Sequence, residues 1–262
     1  MPADLCLIRG GGDLATGVAW RLSRCGFPVI VTELAEPLSI RRTVALSSAV
    51  QHGVVDVEGL VGRRASSTSE ACEIAERGDV AVLVSASLPD VAAPIVVDAR
   101  LAKEPLDTTI DDAPLVVALG PGFVVGTHCH AVVETQRGHH LGRVLWEGSA
   151  QPDTGTPGVI GGRGTERVVR APGEGLVSWH VAIGDLVAEG EVLGLVGSAP
   201  IRTSIDGVVR GTLAPGMHAT AGLKIADIDP RSDPVLCREI SDKALAIGGG
   251  VVEAVFTWSP SR

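Results

Sequence analysis

A short apolar run, Leu5-Cys-Leu-Ile8, breaks into Arg9-Gly10-Gly11-Gly12-Asp13 and then into a pattern of helical period. Gly10-x-Gly12-x-x-Ala15 fits the dinucleotide-type turn, whose glycines let a phosphate approach N–H groups at a helix end carrying about half a positive charge. A second apolar run ends at Glu33, 21 residues past Gly12, where a ribose-hydroxyl acceptor belongs in such folds. Gly10, Gly11, Gly12, Asp13 and Glu33 are therefore candidate cofactor-binding residues; the alternative is an ordinary glycine-rich strand-to-helix turn. Arg41 and Arg42 follow, and could fork onto a phosphate beyond the ribose or lie solvated on a helix. Asp98 and Gly120-Pro-Gly122 close later apolar runs, so in a parallel sheet they would border the same crevice beyond the strand ends.

Other patterns offer less. In Thr127-His-Cys-His130 two imidazoles would share one face of a strand, with Glu134 following on it, but this completes no coordination shell and no metal site is assigned. Asp111 and Asp112 are adjacent, point to opposite faces of an extended chain and make no acid/base pair. Lys224 and Arg231 flank Asp227 and Asp229, the composition of a surface ion-pair cluster, with a clamp on a cofactor as the alternative. Five cysteines without a C-x-x-C pair argue against a zinc ribbon, an iron–sulfur site or a disulfide framework and favour a reducing cytoplasm. Cys6 is expected in a buried first strand, which leaves Cys129 as the candidate reactive thiol. The chain has no tyrosine, which excludes a Tyr/Lys reductase pair, and it lacks the nucleophile elbow, the P-loop and H-E-x-x-H. No catalytic residue is assigned.

The elements that must position these groups are legible from periodicity. Leu14, Val18 and Leu22 mark a helix from Asp13 to Cys25, with Asp13 able to cap its start and Gly26 suited to its end. Further helices are predicted from Ser39 through Val50 to Gly53 and from Ser69 to Arg77. Runs over 80–85, 94–98 and 115–119 are apolar on both faces, as central parallel strands are. The fold class read from this is α/β, a Rossmann-like doubly wound parallel sheet over residues 1–130. In 262 residues with 45% apolar content and a net charge of −9 there is no broad basic footprint for nucleic acid or anionic membrane. The opening apolar run is too short for a membrane span.

The second half is organised by a repeat. Glycines at 175, 184 and 190 recur at 207, 216 and 222, and Leu176, Val177, Leu193 and Val196 recur as Val208, Val209, Ile225 and Ile228. This resembles the duplicated half-barrel of biotinyl and lipoyl carrier domains, and implies a small β-rich biotinyl/lipoyl-like (hammerhead) domain over residues 171–229. The joining turn, Gly197-Ser-Ala-Pro-Ile201, has no lysine, so no biotin or lipoate attachment is expected. Residues 131–170 are read as a hairpin and connecting segment, and 230–262 as a C-terminal helical segment.

Nearly the whole chain also resembles the EF2563/YqeB family associated with selenium-dependent molybdenum hydroxylases. The resemblance rests on Ile8-Arg-Gly-Gly-Gly-Asp-Leu-Ala-Thr-Gly17, Ile40-Arg-Arg-Thr-Val44, Asp111-Asp-Ala-Pro114, Gly120-Pro-Gly-Phe123, His130-Ala-Val-Val-Glu-Thr135, Arg137-Gly-His139, the segment from Gly222 to Arg231 and the segment from Ser241 to Gly250. It implies accessory work in maturing a molybdoenzyme, with His130, Glu134, Arg137 and His139 as candidate substrate or cofactor contacts. A partial resemblance of Ile247-Gly-Gly-Gly-Val-Val-Glu253 to XdhC-type molybdenum cofactor chaperones implies an anion cradle at Gly248, Gly249 and Gly250; Val251 stands where those proteins have cysteine. Three glycines inside a helix would cost about 3 kcal/mol relative to alanine, so a break at Gly248 is expected, with or without a ligand.

The function implied is a cytoplasmic maturation factor for a molybdenum hydroxylase client, binding a nucleotide (NAD(P)-like) or phosphate-bearing molybdenum cofactor. The rivals are a nicotinamide- or nucleotide-dependent enzyme of cofactor maturation, including a sulfur- or selenium-transferring step, and a non-catalytic scaffold. The client's identity and the oligomeric state stay open.

Overall fold

The opening apolar run becomes β1 (Cys6–Arg9), buried at every residue, and the glycine turn feeds α1 (Asp13–Arg24). Gly12, not Asp13, is the amino cap of α1, and its other end closes on Gly26 at φ 85°. There Gly26 donates to the Ser23 carbonyl and Phe27 to that of Leu22, the paired bonds of a Schellman stop. The computed structural model describes residues 4–258. It forms two units, the first comprising residues 4–37, 45–154 and 240–258 and the second Leu38–Val44 and Gly155–Glu239. These divisions differ from those read in the sequence: residues 131–154 and 240–258 belong with the first sheet.

In the first unit the chain continues through β2 (Val29–Glu33), α2 (Ala49–His52), β3 (Val54–Val57), β4 (Leu60–Ala65), α3 (Thr68–Glu76), β5 (Val80–Val84), β6 (Ile95–Asp98), β7 (Leu115–Leu119), β8 (Ala131–Val133) and β9 (Val144–Leu145). One nine-stranded sheet results, in the order β3-β4-β5-β2-β1-β6-β7-β8-β9. Within that order the strands from β4 to β8 pair in parallel, while β3 and β9 close the two edges antiparallel. The Rossmann-like doubly wound reading is therefore corrected. The connections β5 to β6, β6 to β7 and β7 to β8 contain no α-helix, only a 3₁₀ turn at Ile110–Asp112. Instead α4 (Asp242–Trp258), from the far end of the chain, packs along α1. The β3–β4 hairpin adds an element that the periodicity does not predict. It turns through Glu58 and Gly59, both at positive φ, as a two-residue hairpin turn demands.

The helix predicted from Ser39 to Val50 is broken. Leu38–Val44 joins the second unit, and Leu46–Ser48 forms a 3₁₀ turn before α2. Tertiary bonds override the local pattern: the Ser47 amide donates to the Gly11 carbonyl at 2.8 Å and the Leu46 amide to the Thr16 hydroxyl at 3.0 Å.

The second unit contains β10 (Val168–Arg170), β11 (Gly175–Trp179), β12 (Leu186–Val187), β13 (Val192–Val196), β14 (Ala199–Arg202), β15 (Gly207–Thr212), β16 (His218–Ala219) and β17 (Lys224–Asp229). They form two four-stranded antiparallel sheets, β10-β17-β15-β12 and β14-β13-β11-β16. The biotinyl/lipoyl-like description is replaced by this pair of sheets. The repeat itself is visible, since β11, β12 and β13 correspond to β15, β16 and β17, and each half lends its middle strand to the other half's sheet. Gly184 and Gly216, and Gly190 and Gly222, all have positive φ, a backbone state that glycine alone enters freely. Val177, Val209, Leu193, Ile225, Val196 and Ile228 share one core.

Candidate functional site

Strand register sets the stage. Arg9 lies beside Thr32 of β2 and Asp98 of β6, Asp98 beside Ala118 of β7, and Leu119 beside Val133 of β8. Gly10, Glu33, Asp98, Gly120 and Glu134 thus border one edge of the sheet, the carboxyl edge of its parallel strands.

Much of the predicted phosphate cradle on that edge is spent internally. The Gly10 amide donates to the Thr32 carbonyl at 2.8 Å, and the Gly11 amide to Glu33 Oε2 at 2.7 Å. Glu33 Oε1 accepts from the Leu34 amide at 2.8 Å. Glu33 is therefore a clasp on the turn, not a waiting ribose acceptor. Glycine is needed at 10 and 11 for close backbone approach: a Cβ would lie 3.2 Å from Ala99 at Gly10 and 3.0 Å from Ser47 at Gly11. Gly120 and Gly122, both at positive φ, are packed as closely, against Thr135 and the Lys103 backbone. At Gly12 no side chain caps α1.

Asp98 is buried in an ion-pair network. It accepts from the Thr108 hydroxyl at 2.6 Å and from Arg100 Nη2 at 2.6 Å. Arg9, only 2% exposed, reaches Thr108 at 2.8 Å and Asp107 at 2.6 Å. Arg100 bonds Asp107 on its other oxygen. Chiefly through the Arg9 bond, the Asp107 carboxyl is held down at about 2 from the ordinary 3.8. A depressed carboxyl contributes stability fully above its unfolded value and loses it as pH falls through the folded one. Thermal unfolding between pH 4 and pH 2 is expected to fall more steeply for the wild type than for Asp107→Asn; equal slopes would refute this role.

A different set of candidates converges at the amino ends of α1 and α4. These helices run parallel, since Gly17 meets Ala244, Gly248 meets Gly17 and Arg21, and Phe27 meets Phe256 edge-on at 5.8 Å. Both amino ends therefore face the carboxyl edge of the sheet. Ser241 caps α4, its hydroxyl accepting from the Ala244 amide at 3.1 Å. Arg137 forms a bidentate pair with Asp242 at 2.8 and 2.9 Å. Glu134, 2% exposed, accepts from the Gln136 and Gln151 amides at 2.7 and 2.8 Å. Lys243, which sequence reasoning missed, sits among them. Burial pushes its ammonium below the ordinary lysine value, and the charges acting on it are Asp13, Arg137, Glu134 and Asp242. Asp13, Glu134 and Arg137 came from separate motifs; their meeting at one lysine is a property of the fold alone.

The remaining candidates lie elsewhere. His130 precedes β8 at the opposite edge, where its Nδ1 accepts from the Val116 amide at 3.0 Å. The strand expected to align His128 and His130 does not form: β8 starts at Ala131, and His128 Nδ1 accepts from the Val124 amide. His139 is exposed. Arg41 donates to the carbonyls of Leu236 and Glu239, and Arg42 to Thr212, all within the second unit. Gly248, Gly249 and Gly250 lie inside an unbroken α4, so the expected helix break and its cradle are absent. A Cβ on Gly248 would meet the Gly17 carbonyl at 2.5 Å, and one on Gly250 that of Gly142 at 2.3 Å. Close helix packing, not ligand binding, explains this pair. Asp227 and Asp229 are 4% and 0% exposed, so their ion pairs are not a surface cluster.

Cys6 is buried in β1, as expected. Cys129 is also fully buried, and burial, with the Asp98 charge, pushes its thiol up to about 12. Thiolates are what react, so iodoacetamide at pH 8 should alkylate the exposed Cys25 of the native chain and spare Cys129. Rapid modification of Cys129, read by mass spectrometry, would restore it as a thiol candidate. No described helix is long and apolar enough to cross a membrane.

No known family profile matches the chain. It is 50% identical over 255 residues to the uncharacterized protein YqeB of Escherichia coli (strain K12), covering 96% of this chain and 47% of that protein. The chain thus spans about half the length of that curated relative. Among solved structures it is similar to an aspartoacylase family protein from Mesorhizobium loti, with a TM-score of 0.28 and 17% identity over 86% of this chain and 85% of that one. It is also similar to the ectoine utilization protein EutE (DoeB) from Ruegeria pomeroyi, product-bound, with a TM-score of 0.24 and 14% identity over 86% of this chain and 58% of that one. A succinylglutamate desuccinylase/aspartoacylase from Rhodobacter sphaeroides shares 30% identity over 25% of this chain and 22% of that chain, with a TM-score of 0.22. Scores this low carry no inference about activity. These neighbours are not molybdenum cofactor maturation proteins, and the labels Rossmann-like and biotinyl/lipoyl-like give way to the topology described above.

Proposed function

We propose that this chain is an accessory factor that holds a phosphate-bearing small ligand for a client enzyme, at the neighbouring amino ends of α1 and α4. The observation that carries the reading is the parallel packing of α1 and α4, which sets their amino ends side by side with the half-buried Lys243 in the first turn of α4. Two parallel helix ends add positive potential at one place, no side chain caps the start of α1 at Gly12, and Lys243 supplies a cation. The amides and the ammonium suit an anion, while the neighbouring carboxylates of Glu134 and Asp242 are held by the Gln136 and Gln151 amides and by Arg137. The ligand proposed is a nucleotide or the phosphate-bearing form of molybdenum cofactor, and the client, on the motif resemblance given above, is a molybdenum hydroxylase in a reducing cytoplasm. Gly12, the first turn of α1 and Lys243 would hold the phosphate. A nicotinamide-dependent enzyme fits less well, because Glu33 and the Gly11 amide are engaged with each other.

The test is native mass spectrometry of the full chain purified from molybdenum-replete cells. A bound phosphate-bearing molecule, displaced by added pyrophosphate, is expected. A ligand-free chain that also fails to bind pyrophosphate or NAD in calorimetry would end the proposal.

A further inference from the structure

The repeat in the second unit breaks its symmetry at the outward-facing positions. Leu176 and Ser178 of β11 are exposed, whereas their equivalents on β15, Val208 and Arg210, are buried. Leu195 and Gly197 correspond to Asp227 and Asp229, also buried. The outer face of the β10-β17-β15-β12 sheet is therefore a covered, charged layer. Its cover within the unit includes Ile40, whose carbonyl lies 2.6 Å from where a Cβ on Gly211 would be, and Cys237, whose thiol is 3.6 Å from the Val209 carbonyl.

Both acids of this layer are engaged by other arginines. Arg167 donates to the two oxygens of Asp227 at 3.0 and 3.1 Å, and Lys224 lies 3.8 Å from that carboxylate. Arg231 donates to the two oxygens of Asp229 at 2.9 and 2.6 Å. Arg210 is the surplus. It is 6% exposed, its Nε, like that of Arg167, has no hydrogen-bond partner among the described residues, and, unlike Arg167, it approaches its carboxylate oxygen, Asp229 Oδ2, only to 3.6 Å. Arg41 and Arg167 add like charge beside it. A guanidinium stays charged at any ordinary pH, and a buried charge without a hydrogen-bonded counterpart is costly enough that proteins rarely retain one. A buried donor that protein groups leave unsatisfied is a place where an ion or a water binds.

We infer that the covered outer face of this sheet binds a tetrahedral oxyanion, as free phosphate or as the phosphate group of an ester, with the Arg210 fork as its principal donor. A planar fork matches two phosphate oxygens at once. This site lies in the second unit and does not depend on the ligand proposed for the helix ends.

The test is thermal unfolding of the full chain in phosphate-free buffer with increasing inorganic phosphate, glycerol 1-phosphate, or chloride at equal ionic strength. Phosphate is expected to raise the unfolding temperature by about 3 °C or more at saturation, and chloride not to. Arg210→Met should lose the response while unfolding no lower than the wild type without phosphate, because it removes a buried charge that no carboxylate hydrogen-bonds. Arg210→Lys should respond less than the wild type, and gives the answer should the methionine variant not fold. A response to phosphate but not to the ester identifies the free ion, and a response to both admits an ester. No response to either, or a full response in both Arg210 variants, overturns the inference. Lys243→Met separates the two sites: it should keep this response, and loss of the response there but not in Arg210→Met would move the phosphate to the helix ends.

Discussion

Gly249→Ala is expected to raise the stability of this protein, and Gly250→Ala, one residue on, to collapse it. Nothing lies within 4 Å of a Cβ placed on Gly249, so alanine there gains only helix propensity, about 0.5–1 kcal/mol. A Cβ on Gly250 would sit 2.3 Å from the Gly142 carbonyl and 2.8 Å from Val133. Backbone on both sides of that contact cannot yield without moving α4 off β8, so a loss of about 3 kcal/mol or more is expected. For a chain of this size the two variants should unfold roughly 10 °C apart. Differential scanning calorimetry decides it. Equal effects of the two substitutions would mean that the triple glycine is not a packing device, and would reopen the anion cradle at that place.

The second large effect is expected at Lys243. Removing a charged hydrogen-bond donor from a phosphate contact costs about 1.5–3 kcal/mol, so Lys243→Met should weaken pyrophosphate binding roughly 10- to 150-fold in calorimetry. Burial lowers the lysine's proton affinity, which fixes the pH dependence. The ammonium form binds and the neutral amine does not, so affinity should hold at low pH and fall as pH rises, starting below the ordinary lysine range. Lys243→Gln should behave as Lys243→Met does, since either substitution removes the charge, while the unfolding temperature of the ligand-free chain should change little. Unchanged affinity in Lys243→Met would show that the lysine is a structural resident of the α4 end.

How much of this could be read before the fold is clear from particular residues. The strand-to-helix turn at Gly10 and the repeated glycines at 184, 190, 216 and 222 are legible because their backbone states are local and glycine-specific. The hairpin at Glu58-Gly59 escapes the sequence reading, because Glu-Gly is not one of the Asn-Gly, Asp-Gly or Gly-Gly pairs that mark such turns. Gly248 and Gly250 look like helix breakers because propensity cannot see the Gly17 and Gly142 carbonyls that they admit. Lys243 is illegible for the same reason. Asp13 and Glu134, which give it meaning, lie more than a hundred residues away in sequence, and only the parallel packing of α1 and α4 brings them together. Proximity along the chain places Arg41 and Arg42 near the glycine turn, but the segment 38–44 joins the second unit.

The central claim is that the amino ends of α1 and α4 form a built anion site. It is tested most directly by the crystal structure of the full chain soaked in pyrophosphate. The account predicts density for the anion within hydrogen-bond reach of the first-turn amides of α1 and of Lys243 Nζ. Density absent from that place, with Lys243 turned onto a neighbouring carboxylate and the first turn of α1 covered by protein side chains, would contradict it.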